Sequence, residues 1–74
     1  MRTNTEQYEA THGRKPKGKG TWIFELMGTD GNGAFLRETI TSRGSLADAK
    51  KFAVKEFKSL SGRIKSVIEI EVLP

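Results

Sequence analysis

The residue types that most often perform catalysis or hold metal ions are sparse in this chain. Its 74 residues include one histidine, His12, and no cysteine, which excludes thiolate nucleophiles and thiolate metal ligands. Glu69 and Glu71 alternate along one segment and would share one face of a strand. An acid/base pair would need one of the two buried, so solubilising charges are the expectation. We therefore expect a non-enzymatic protein with no catalytic residue, no metal and no cofactor.

Positive charge is concentrated at the start of the chain. Residues 1–20 carry five basic and two acidic side chains, a net charge of +3, whereas residues 21–74 carry eight basic and seven acidic ones, a net charge of +1. Glycine and proline separate the cations over residues 13–20, and a segment with so little apolar surface is typical of chain that stays disordered when free. The sequence therefore predicts a flexible basic arm over 1–20. The alternative is a solvated tail that only aids solubility.

Basic side chains beside an aromatic ring are a pattern suited to binding another macromolecule. The cations attract an acidic surface, and the ring can anchor in a pocket of the partner. Two of the candidates have a competing interpretation, because a lone histidine is most often solvated and a lone tryptophan at a strand start most often belongs to the core. The candidate partner-binding residues, in the arm and at its base, are Tyr8, His12, Arg14, Lys15, Lys17, Lys19, Trp22 and Arg37.

The pattern changes at Thr21 to that of a small folded domain, residues 21–74. Aromatic and β-branched residues predict a strand over 22–28, the Asp-Gly and Asn-Gly pairs of 29–33 predict a hairpin loop, and the strand returns over 34–41. Trp22, Phe24 and Leu26 would then share the face that packs on the core.

A helix and a third strand complete the predicted domain. Ser45 followed by Asp48 is typical of a helix start, and the apolar stripe predicts a helix over 46–60. The stripe consists of Leu46, Ala49, Ala53, Phe57 and Leu60, with Lys51, Lys55 and Lys58 opposite. Residues 64–72 alternate as a strand that turns Ile64, Ile68, Ile70 and Val72 toward the core.

The predicted fold class is therefore α+β with the order β-β-α-β. It consists of a three-stranded, mainly antiparallel sheet with one helix packed on one face, preceded by a disordered basic N-terminal arm. The uncovered face would form an apolar partner patch or pack under the arm. Its expected members are Ile23, Met27, Phe35, Arg37, Val67 and Leu73.

Composition also sets expectations for compartment and assembly. No stretch approaches the roughly 20 consecutive apolar residues of a membrane span, and the N-terminus is too polar for a signal peptide. We expect a cytoplasmic protein with no membrane partner, and a monomer. An exposed edge strand leaves pairing with a second copy open.

The arm and its junction with the first strand resemble a group of viral proteins. The segment YEATHGRKPKGKGTW over 8–22, leading into a hairpin, is similar to that of small phage-encoded regulators of the host bacterial RNA polymerase, of the kind made by a lytic Xanthomonas phage. The resemblance implies binding to the N-terminal region of the β′ subunit in the bacterial cytoplasm, inhibition of initiation through displacement of the sigma factor, and antitermination. The alternative is a small basic DNA- or RNA-binding module, which the nearly neutral folded part disfavours.

Overall fold

The computed structural model describes residues 1–74, apart from the side chain of Ser61. Its elements are β1 (Arg2–Asn4), α1 (Glu6–His12), β2 (Lys19–Thr29), β3 (Phe35–Ser45), α2 (Leu46–Ser61) and β4 (Ser66–Val72). The four strands form one mixed sheet in the order β1-β4-β2-β3. The predicted α+β class is confirmed. The prediction of three strands and one helix omitted β1 and α1.

The hairpin of β2 and β3 forms the centre and one edge of the sheet. Its loop is closed by the Asp30 carboxylate, which accepts hydrogen bonds from the N–H groups of Asn32 (2.7 Å) and Ala34 (3.2 Å). Gly31 and Gly33 supply the positive φ angles, 84° and 92°, that this tight loop requires. The alternation along β2 buries Trp22, Phe24 and Leu26 on one face, as predicted.

α2 covers that face, lying over β3 and β2. The Ser45 hydroxyl accepts a hydrogen bond from the N–H of Asp48 (3.2 Å), and the helix ends at the left-handed Gly62. Ala49, Ala53 and Phe57 are buried, as the apolar stripe predicted. Among the described residues, neither helix is long and apolar enough to cross a membrane.

One member of the predicted stripe does not pack on the sheet. Leu60 is 65% exposed. The last turn of α2 places it at the edge of the sheet, beside Leu36 and Glu38 of the outer strand β3. The prediction that Leu60 belongs to the core was therefore wrong.

A β-bulge changes which residues of β4 face the core. Met27 pairs with Glu69 and the next residue, Gly28, pairs with Val67, so Ile68 has no partner on β2. The extra residue shifts the alternation by one position, and Val67 packs against the core. The prediction that Val67 lies on the uncovered face was therefore wrong, whereas Ile70 and Val72 are fully buried as expected.

Gly28 is required where β2, β4 and α2 meet. A Cβ atom there would lie 2.9 Å from the Phe57 ring and 2.9 Å from the backbone oxygen of Ser66. We expect Gly28→Ala to lower the free energy of unfolding by about 1–3 kcal/mol, because the backbone oxygen can move away only if β4 moves with it. Urea unfolding measures the loss. Gly20→Ala on the same strand is the control, since a Cβ there meets nothing within 4 Å; equal losses for the two variants would contradict the packing argument.

The first twelve residues are folded, which corrects the prediction of a disordered arm for this part of the chain. β1 pairs in parallel with β4, with Thr3 opposite Ile70, and the Thr3 hydroxyl accepts a hydrogen bond from Lys50 (2.8 Å). α1 places Tyr8 in the core, 8% exposed, with its ring centroid 5.9 Å from that of Trp22. A seven-residue helix is marginal alone, and burial of Tyr8 stabilises it here.

Candidate functional site

Six of the eight predicted partner-binding residues line one cleft. The cleft has a volume of about 320 Å³ and lies where the end of α1, the link over 14–18, the start of β2 and the end of β4 meet. Its lining also includes Gly20, Thr21, Ile23, Leu73 and Pro74. We call it the basic cleft, after its predicted members Tyr8, His12, Arg14, Lys17, Lys19 and Trp22.

The buried side of the basic cleft is aromatic. Tyr8 and Trp22 are 8% and 7% exposed, and the Trp22 indole N–H donates a hydrogen bond to the backbone oxygen of Gly44 (3.1 Å). Both rings belong to the core, so they act as a fixed floor. Tyr8 would have to leave the core in order to insert into a partner's pocket as the sequence suggested.

The exposed side of the cleft carries its basic residues. His12 stacks on Tyr8, with ring centroids 4.2 Å apart and the planes 31° from parallel. Arg14, Lys17 and Lys19 are exposed. The chain turns between α1 and β2 at Gly13 and Gly18, whose φ angles of 69° and 90° are left-handed, and this turn brings the cations to the same side.

The described lining of the basic cleft carries positive charge without an acidic side chain. No Asp or Glu side chain lines it among the described residues. The single ion pair within 4 Å among the described side chains lies elsewhere, between Arg37 and Glu25 (3.7 Å). Three cations on one concave surface whose described lining contains no Asp or Glu raise the local potential and attract an anionic partner.

Two predicted residues lie outside the cleft. Lys15 is exposed in the 14–18 link but does not line the cleft. Arg37 lies on β3 opposite Met27, on the face of the sheet that the helices leave uncovered, where its guanidinium approaches Glu25. The structure therefore separates Arg37 from the cations of the N-terminal segment.

The uncovered face has an acidic centre, which the sequence did not predict. Glu25 pairs with Glu71, and Glu69 is the next residue of β4 on that face. Burial raises the pKa of Glu71 above its ordinary value, and the nearby charges of Glu25, Glu69 and Glu6 raise the pKa further, against an opposite effect from Arg37. Glu25 joins the other two only through strand register, and no sequence spacing reveals that. The exposed apolar residues Ile23 and Phe35 lie beside this acidic centre and form no continuous patch.

The raised pKa of Glu71 predicts a pH-dependent stability. A carboxyl group that holds its proton more tightly in the folded state contributes stability below its ordinary pKa of 4.5. It loses that contribution as the pH rises through its pKa in the folded state. Glu71→Gln should therefore raise the free energy of unfolding near pH 7 and have little effect in acid below the ordinary pKa. Chemical denaturation at both pH values measures this. Glu38→Gln on β3 is the control, and a Glu71→Gln effect independent of pH would contradict the electrostatic explanation.

The candidate chemistry of the chain is thus binding through charge. Among the described residues, no three His, Asp or Glu side chains come together where they could hold a metal ion. The chain matches no protein-family model, no curated protein and no solved structure.

Proposed function

We propose that this protein is a non-enzymatic regulator that binds an acidic surface of another macromolecule through the basic cleft. The observation that carries the proposal is the convergence of Arg14, Lys17 and Lys19, together with His12, on one concave surface without acidic side chains among its described residues. Such a site attracts an anionic partner from a distance and accelerates association. The rigid floor of Tyr8 and Trp22 lowers the entropy that must be lost on binding.

The proposed partner is bacterial RNA polymerase. This part of the proposal rests on the resemblance of the 8–22 segment to phage-encoded regulators, and the basic cleft supplies a surface suited to an acidic region of the β′ subunit. Binding to the N-terminal region of β′ would inhibit initiation by displacing the sigma factor and would allow the elongating enzyme to pass terminators. The protein acts in the cytoplasm of the bacterial host.

Nucleic acid is the second candidate partner. The three exposed cations of the basic cleft favour it, because phosphates bind wherever lysine and arginine converge. One observation favours a protein partner instead. The aromatic rings of the cleft floor are too buried to stack on bases.

Capture of purified polymerase separates the two candidates. The tagged protein is incubated with bacterial RNA polymerase at moderate salt, with and without nuclease. Nuclease-resistant capture is expected. Capture of nucleic acid alone, lost as the salt concentration rises, would replace the polymerase proposal with the nucleic-acid one.

Charge reversal in the cleft tests the site itself. Lys17→Glu combined with Lys19→Glu should abolish capture, because two attractive contacts become repulsive. Lys51→Glu combined with Lys55→Glu is the matched control: it makes the same change in net charge on the exposed face of α2. Equal capture by the two double variants would show that the cleft is not the site. Deletion of 1–19 is a poorer test, because it removes β1, α1 and Tyr8 together with the cations.

A further inference from the structure

The outer edge of β3 is a long backbone edge with no strand beside it. Among the strands described, β3 pairs with β2 alone and runs for 11 residues, Phe35–Ser45. The strand at the other edge of the sheet, β1, has only three residues. An unpaired edge of this length presents a row of N–H and C=O groups with which another strand can form a ladder.

Exposed apolar side chains follow the same edge. Phe35 begins β3 and is 66% exposed. Phe52 of α2 is 53% exposed and lies beside Ser42, near the end of the strand, and the 65% exposed Leu60 lies beside Leu36, near its start. Three of the five large hydrophobic side chains that are exposed in the described structure therefore border one strand edge. Phe35 lies on the uncovered face and the two α2 side chains lie on the opposite face, so apolar groups flank both sides of this strand edge.

We propose that β3 pairs antiparallel with β3 of a second copy of this chain, with Thr39 opposite Thr39 of the other copy. The two sheets then join into one of eight strands, related by a twofold axis at Thr39. In this register Arg37 lies opposite Thr41, and Phe35 lies opposite Arg43, where the guanidinium and the ring attract each other.

The charges on β3 select this register over its neighbours. Any other register must also keep the two uncovered faces on the same side of the joined sheet. The residue opposite a given residue therefore changes by two positions at each step. One step in one direction brings Glu38 opposite Glu38 of the other copy, and one step in the other direction brings Arg37 opposite Arg43. Like charges directly opposite each other destabilise a strand pair. The Thr39-centred register avoids both pairs and keeps nine residues of each strand in the ladder.

The two copies of α2 meet over the same axis. Because the strands run antiparallel, Ser42 of one copy faces Leu36 of the other. Phe52, beside Ser42, then approaches Leu60 of the second copy, and the symmetric pair forms on the other side of the axis. The exposed apolar side chains of α2 thereby become each other's partners. The basic cleft, built from α1, β2 and β4, lies outside this interface, so the inference is independent of the proposed function.

Single cysteines test the register directly, because the chain has no cysteine of its own. Thr39→Cys places two sulfurs opposite each other within disulfide reach. Thr41→Cys lies on the same face of the same strand, but its two Cα atoms would be about 14 Å apart, twice the separation a disulfide spans. Under mild oxidation we expect a covalent dimer from the Thr39→Cys variant and none from the Thr41→Cys variant. Equal cross-linking of the two variants, or none in the Thr39→Cys variant, would overturn the proposal.

Sedimentation equilibrium provides a second test that needs no cysteine. The wild-type protein is expected to reach the mass of a dimer as its concentration rises. Phe52→Ser combined with Leu60→Ser should stay at half that mass with an unchanged circular dichroism spectrum, because both side chains are exposed in the single chain. A wild-type protein that remains a monomer throughout would overturn the proposal, whatever its binding to polymerase.

Discussion

Replacing Phe57 by Ala is expected to lower the free energy of unfolding by about 3–5 kcal/mol. Phe57 is 1% exposed and among the largest fully buried side chains, and its ring closes the space above Gly28 where α2 crosses β2. Truncation removes apolar contacts and leaves a cavity that the short chain cannot fill. A domain of this size has a total stability of roughly 4–11 kcal/mol, so the expected loss is a large part of the total.

A second phenylalanine on the same helix provides the control for this experiment. Phe52 is 53% exposed, so Phe52→Ala should cost less than about 1 kcal/mol. Urea denaturation followed by circular dichroism, at a concentration low enough to keep the chains separate, measures both losses. Similar losses for the two variants would mean that α2 does not pack on the sheet through Phe57.

Replacing Tyr8 by Ala is expected to lower the free energy of unfolding by about 2–3 kcal/mol, although the residue lies in a segment whose composition suggests a tail. Its ring is buried against Trp22 and supports His12, so truncation opens the floor of the basic cleft and releases α1. Amide hydrogen exchange should accelerate at the N–H groups of β1 that point toward β4, because α1 no longer holds β1 against β4.

The conservative variant Tyr8→Phe separates packing from other roles of the residue. It keeps the ring and should cost less than about 1 kcal/mol. If Tyr8→Ala were as stable as the wild type, residues 1–12 would be a tether that contributes nothing to the core, as the flexible arm predicts. That result would also remove the aromatic floor from the proposed binding site.

The elements that sequence reasoning predicted are those with a repeated pattern. The alternation of Trp22, Phe24 and Leu26 indicates a half-buried strand, and the spacing of Ala49, Ala53 and Phe57 indicates a helix that covers it. Each pattern extends over at least two repeats, and each is supported by a turn or a cap. The structure confirms the hairpin, α2 and the final strand for this reason.

The elements that sequence reasoning missed contain too few apolar residues to show a period. β1 has three residues and no large apolar side chain, and α1 buries Tyr8 alone. Both are held by tertiary contacts, which a local pattern does not reveal. The bulge at Ile68 is also invisible to a local pattern, because one extra residue reverses the alternation without changing the residue types around it.

The candidate site was predictable by residue type and not by geometry. The cations of residues 14–19 were identified from charge alone, whereas their convergence depends on the left-handed Gly13 and Gly18 and on the end of β4 reaching the start of β2. There the Leu73 N–H donates a hydrogen bond to the Ile23 backbone oxygen (2.8 Å) and closes one wall of the cleft. Arg37 shares the charge of the other candidates but lies on the uncovered face of the sheet, where strand alternation had already placed it.

The proposal that the basic cleft binds RNA polymerase is tested most directly by measuring affinity for the purified, nucleic-acid-free enzyme. Three forms of the protein are compared: the wild type, the Lys17→Glu and Lys19→Glu double variant, and the Lys51→Glu and Lys55→Glu double variant. Affinities are measured over a range of salt concentrations. The wild type and the α2 variant are expected to bind tightly, with affinity that weakens as salt rises, and only the cleft variant is expected to lose binding. Binding by the cleft variant with wild-type affinity and salt dependence would contradict the proposal.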